Sequence, residues 1–177
     1  MNLYIVRHGQ TDGNVYKIMD GIRDIDLNET GIEQAKLTRD AIKNIAFDLC
    51  ICSPLSRTKH TMEIININNI PVLFDDRIKE RDCGEFTGKG FDSLDRDLYW
   101  NYYDETKYES AESIPHFFER VFAFLEEIKE KYKDKTILLV THEGVTKAIN
   151  CYFNGVPKDG NLQGLGLKNC EVKEYKL

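Results

Sequence analysis

Short apolar runs alternate with stretches of helical periodicity along most of this chain, and that alternation leaves few folds open. "KTILLVTHEG" (135–144) is the strongest strand candidate, and "LYIVRHGQTDGN" (3–14) begins with another. Residues 47–52 and 71–75 add two more, and "CEVKEY" (170–175) alternates like a half-buried last strand. Between them, Ile32, Ala35, Ile42 and Ile45 fall at helical spacing. Ser53-Pro54 predicts an N-cap and first helical residue for a helix carrying Arg57 and His60. Phe118, Val121, Phe122, Leu125 and Ile128 mark one face of a long helix after Pro115, and a helix is expected over about 145–153. Strand and helix in turn predict an α/β fold: a three-layer sandwich with a mostly parallel central sheet and helices on both faces.

The 177 residues are expected to form a single domain with a real core. A net charge of -6 gives no general attraction to nucleic acid or anionic lipid, so neither is expected as a partner, and any anion site must be local. No apolar run reaches membrane-spanning length and no basic-then-apolar leader opens the chain, which predicts a cytoplasmic protein. Five scattered cysteines at 50, 52, 83, 151 and 170 read as free thiols, Cys50 and Cys52 sharing one face of a strand. The histidines at 8, 60, 116 and 142 form no metal-ligand spacing, so neither a metal nor another cofactor is expected. "GEFTGKG" (84–90) lacks the spacing and the hydroxyl residue of a nucleotide-binding loop.

Two strands end alike, in Arg7-His8-Gly9 and in His142-Glu143-Gly144. In an open α/β sheet such ends converge on one crevice. Arg7, Arg57, His8 and His142 would then surround a point rich in helix N-termini, a setting suited to a phosphoryl group. Gly9 and Gly144 would allow close backbone approach, and Gln10 and Asn14 are candidate substrate contacts or turn residues. His60 and His116, outside any such context, read as ordinary surface groups. Residues 83–113, with glycines at 84, 88 and 90 and five Tyr or Trp, read as an excursion over one end of the sheet.

These motifs resemble those of the histidine phosphatase superfamily, the phosphoglycerate mutase-like proteins with an Arg-His-Gly signature. "RHGQTDGN", "LNETGIEQA" (27–35), "SPLSRTKHT" (53–61), "ERDCGEFTG" (80–88) and "THEGV" (141–145) occur in the family's order across nearly the whole chain. The resemblance implies that His8 is a nucleophile forming a phosphohistidine, that Arg7, Arg57 and His142 hold phosphoryl oxygens, and that Glu80 is the proton donor. Gly13 and Phe86 depart from the family pattern, which bears on substrate shape.

The resemblance implies a phosphomonoesterase acting on a small phosphorylated metabolite, with a mutase-type phosphotransferase and a non-catalytic phospho-ligand or protein-binding module as alternatives. Residues 89–113 carry only Lys89, Arg96 and Lys107 against seven acids. Such a cover is expected to repel a second anionic group on the substrate, favouring the phosphatase.

Overall fold

The computed structural model describes residues 1–106 and 108–177, and Lys107 lies outside the described residues. Its strands are β1 (Asn2–Arg7), β2 (Leu49–Cys52), β3 (Val72–Phe74), β4 (Thr136–Thr141) and β5 (Val172–Lys176). Its helices are α1 (Asp12–Val15), α2 (Glu29–Ile42), α3 (Ser56–Ile65), α4 (Arg96–Tyr99), α5 (Ile114–Lys131) and α6 (Glu143–Asn154). The strands form one sheet in the order β3-β2-β4-β1-β5, parallel except for β5, which runs antiparallel to β1 at the edge.

Alternation along the strands divides the core in two. Leu3, Ile5, Leu49, Ile51, Ile137 and Leu139 face α5 and α6, while Val6, Cys50, Cys52, Leu138 and Val140 face α2 and α3. Helices therefore cover both faces, as the alternation predicts. On α5 the buried stripe is Phe117, Phe118, Val121, Phe124, Leu125 and Ile128, whereas Phe122 sits at its margin between Phe118 and Tyr152. All five cysteines are buried free thiols. No helix among the described residues is long and apolar enough to cross a membrane.

One helix start differs from expectation. Helix α3 begins at Ser56 with Leu55 as N-cap and no side-chain cap, because the Ser53 hydroxyl is already bonded to His142 and the chain stays extended through Leu55. The excursion folds as short turns around α4. Tyr99 and Cys83 pack with Met19 of the loop after α1, joined by Phe86, Phe91, Leu94, Trp100 and Tyr108. Hydrogen bonds from Met19 N–H to the Lys89 carbonyl (2.9 Å) and from Gly88 N–H to the Met19 carbonyl (2.8 Å) tie it to that loop.

The start of α2 explains a motif glycine. A Cβ on Gly31 would lie 2.2 Å from the Gln10 carbonyl oxygen, and one on Gly9 would lie 2.5 Å from the Gly31 carbonyl oxygen. Two glycines let the helix press its first turn against the loop that follows β1. Gly31→Ala must push that loop outward, since the obstructing atoms are backbone. We expect it to cost about 1–3 kcal/mol, read as a lower urea midpoint with an unchanged slope. An unchanged midpoint would contradict this packing.

Candidate active site

Strand register builds the site. Arg7 of β1 pairs with Thr141 of β4, so the next residue on each strand, His8 and His142, leaves the sheet side by side. Their ring centroids are 5.2 Å apart, and both rings are buried, at 4% and 0% exposure. Ser53, leaving β2 next to β4, places its hydroxyl 2.8 Å from His142 Nε2.

His8 Nδ1 lies 2.7 Å from the carbonyl oxygen of Gly9. A carbonyl only accepts, so Nδ1 carries the hydrogen and Nε2 keeps its lone pair. Burial, then Arg57, then Arg7 hold the His8 pKa well below the ordinary imidazole value. His142 is held low by burial, Arg57, His8 and Arg7, and its Nδ1 has no hydrogen-bond partner among the described residues. Both rings are neutral near pH 7.

A cavity opens in front of His8, walled by Arg7, Arg57, Glu80, Asn14 and Gly144 among others. Arg57, in the first turn of α3 and 2% exposed, donates to the carbonyls of Gly21 (2.7 Å) and Arg23 (2.9 Å), which aims its head from below the loop. Arg7 donates to the Leu167 carbonyl at 2.8 Å and pairs with Glu143 at 3.0 Å, leaving its buried Nε without a partner. The Glu80 carboxylate accepts from the backbone N–H groups of Arg81 (2.8 Å) and Gly144 (3.0 Å) and forms no ion pair among the described residues. A Cβ on Gly144 would lie 2.2 Å from Glu80 Oε1 and 2.8 Å from the Trp100 ring, so glycine here makes room for the carboxylate.

Not every sequence candidate reaches the cavity. Gln10 turns away: its N–H donates to Gln34 at 2.9 Å and its side-chain oxygen accepts from Asn28 at 3.2 Å, anchoring α2. Gly9 likewise serves the contact with Gly31 and donates to Thr61 at 3.0 Å rather than opening space for a ligand. His142 lies against His8 and is not itself part of the cavity wall. Asn14 does line it. Its oxygen accepts from the Thr11 N–H in a capping box and from Asn169, which also donates to the His8 carbonyl at 3.0 Å. His60 and His116 bond to Asp26 and Glu112 near the surface.

Sequence reasoning missed Ser53, Asn169, Glu143 and Lys147. Glu143 is shared by Arg7 and by Lys147 (3.1 Å), an almost fully buried lysine whose ammonium stands 4.4 Å over the Trp100 ring. The signal for Glu143 was its place inside the His-x-Gly motif, and that for Ser53 its place at the head of "SPLSRTKHT", where it was read only as an N-cap; Asn169 had none. The expected repulsion by the cover is also corrected. None of the acids at 92, 95, 97, 104, 105, 109 or 112 lines the cavity; Asp95 caps α4, Asp104 accepts from Thr106 and Glu112 pairs with Arg120. The cover's contribution to the wall is Phe91, Arg96, Tyr99 and Trp100. Among the described residues no group of three or more His, Cys, Asp or Glu is arranged to hold a metal ion.

Residues 3–177 match the family model described as the histidine phosphatase superfamily (branch 1). A protein named uncharacterized phosphatase PhoE, of Bacillus subtilis (strain 168), is 32% identical over 93% of this chain and 82% of its own length. Phosphoserine phosphatase 1 of Hydrogenobacter thermophilus is 30% identical over 88% of this chain and 77% of its own. Relatives named as phosphoglycerate mutases also match. Among solved structures, YhfR of Bacillus stearothermophilus superposes with a TM-score of 0.88 at 25% identity, covering 98% of this chain and 89% of that one.

Two buried neutral imidazoles give stability a pH signature. The unfolded chain protonates each near pH 6.5, while the folded chain resists because burial and the arginines depress both values. Stability is thus fully present above about pH 6.5 and is lost as pH falls toward the depressed folded values, by about 1.4 kcal/mol per pH unit per histidine. Denaturant titrations from about pH 6.5 down to about pH 5, above the carboxylate range, read this effect, and the difference between the parent and a variant assigns it to one ring. His142→Gln should remove one proton's worth of slope, and an unchanged slope would mean that His142 is charged in the folded protein.

Proposed function

From the premise that this chain belongs to the histidine phosphatase superfamily, we propose that it is a metal-independent phosphomonoesterase acting through a phosphohistidine on a small phosphorylated metabolite. The observation that carries this reading is the His8 Nδ1 hydrogen bond to the Gly9 carbonyl, which leaves Nε2 unprotonated in a cavity flanked by Arg7 and Arg57.

In the first step His8 Nε2 attacks phosphorus as the bond to the ester oxygen breaks, and a protonated Glu80 gives its proton to the leaving alkoxide. Arg7 and Arg57 supply fixed positive charge to the phosphoryl oxygens as the transition state forms, the task a metal ion performs in other phosphatases. With the Ser53 hydroxyl donating to its Nε2, His142 would carry its hydrogen on Nδ1; its place against His8, behind the cavity wall, makes it a support of the nucleophile in this reading, and the oxygen contact that the family resemblance implies would require the ring to be reached past His8. In the second step the Glu80 carboxylate takes a proton from water, whose oxygen attacks phosphorus and breaks the N–P bond, returning neutral His8, protonated Glu80 and inorganic phosphate. Two backbone N–H groups hold the Glu80 carboxyl at the cavity wall, the place from which the proposal gives it both tasks.

The assembled site argues against a non-catalytic module, since such a module has no use for a nucleophile, two arginines and a carboxyl around one point. Hydrolysis is favoured over transfer by the relatives named as phosphatases, and release of free phosphate instead of a phosphate isomer separates the two.

Leaving groups test the proton donor. Glu80→Gln should slow alkyl phosphates by about 10²–10⁴-fold while slowing p-nitrophenyl phosphate far less, because its phenolate departs without protonation. Equal losses on both substrates in steady-state assays would remove Glu80 from that role.

A further inference from the structure

Lys147, one turn into α6, is a cation with almost no surface, only 1% exposed. Its ammonium lies 3.1 Å from one oxygen of Glu143, four residues earlier on the helix, and 4.4 Å over the Trp100 ring. Gly166 closes the space: a Cβ there would lie 2.6 Å from Glu143 Cγ and 3.3 Å from Lys147 Cε. Burying an ammonium is costly, and a methionine would fill the same space without that cost. The charge is therefore held against desolvation, and neither step of the proposed reaction uses it.

The other oxygen of Glu143 pairs with Arg7 Nη1 at 3.0 Å, beside the Leu167 carbonyl that the same nitrogen reaches at 2.8 Å. The first turn of α6 also fixes Leu167: the Thr146 hydroxyl accepts from the Leu167 N–H at 3.0 Å and donates to the Glu143 carbonyl at 2.7 Å. Arg7 and Glu143 both line the cavity, and Lys147 stands behind them. Burial raises the Glu143 pKa, but Arg7 and then Lys147 outweigh it and hold the carboxyl below its ordinary value, so it is ionised. Paired with that carboxylate alone, Arg7 would bring no net charge to an arriving phosphoryl group. With Lys147 the three groups carry one net positive charge.

We infer that Lys147 is a positioning residue for Arg7: by sharing Glu143 it braces the carboxylate behind the guanidinium and restores the positive field that the Arg7–Glu143 pair alone would cancel. The inference rests on the phosphomonoesterase reading and deepens it, because it separates the holding of Arg7 from the charge that Arg7 must present. In a site of low dielectric that charge acts across the cavity without Lys147 touching the substrate.

The test measures binding of inorganic phosphate and of orthovanadate by titration calorimetry, which needs no turnover. Lys147→Met keeps the shape of the side chain and Lys147→Gln keeps a hydrogen-bond donor, but neither keeps the charge, and each should weaken phosphate binding by about tenfold. Glu143→Gln combined with Lys147→Met removes one charge of each sign and should restore binding to within about threefold of the parent. A role in packing alone predicts the reverse order, with the double variant the weakest. Parental affinity in the single variants, or no recovery in the double, would overturn the inference and leave the phosphatase reading standing. A parent that binds neither anion removes the inference, and one that also hydrolyses no phosphate monoester removes the phosphatase reading with it.

Discussion

The hydrogen bond from His8 Nδ1 to the carbonyl of its own successor, Gly9, is the interaction on which the proposed chemistry turns. At 2.7 Å it chooses one tautomer of a ring that is otherwise free to adopt two, and so decides which nitrogen can act as a nucleophile. Burial and two arginines then keep that nitrogen unprotonated. The same cations that suppress protonation are placed to meet the phosphoryl oxygens, so one electrostatic arrangement serves the resting state and the proposed transition state.

Much of the remaining fold positions this bond. Parallel pairing of β1 with β4 sets His8 against His142, and β2 delivers Ser53 to the far side of the second ring. The paired glycines 9 and 31 draw α2 onto the loop whose carbonyl holds His8. Asn169, in the segment before β5, donates to the His8 carbonyl and to Asn14, joining the last strand to the first. The loop after α1 and the excursion close over the other side, with Met19 bonded across the gap.

The sheet and its helices were legible in the sequence because burial on both faces writes continuous apolar runs, and one-sided burial of helices writes a period near 3.6. Arg7, His8 and Arg57 were legible as cavity residues because their strand ends and helix start converge on one crevice, whereas Glu80 was reached only through the family resemblance and Asn14 only as one of two readings. For Gln10 and Gly9 the sequence left both readings open, because a polar residue and a glycine after a strand look the same whether they face a substrate or a helix; in the structure both meet α2. The charge of the cover misled for a related reason. Counting acids along residues 89–113 says nothing about orientation: none of them joins the cavity wall, Asp95 capping α4 and Glu112 pairing with Arg120, while Arg96 does join it. Glu143 and Lys147 form a buried pair four residues apart on α6, a spacing indistinguishable in sequence from a solvent-exposed one.

The account stands on the claim that Nε2 of His8 is the atom that attacks. Rapid quenching of the enzyme with a labelled monoester, under conditions that preserve the acid-labile N–P bond, followed by peptide mapping and phosphorus NMR of the captured adduct, reads that atom directly. The account predicts a single phosphohistidine at His8, bonded through Nε2 and hydrolysed at a rate consistent with turnover. Label on Nδ1, label on another residue, or sustained turnover with no phosphoenzyme formed would contradict it.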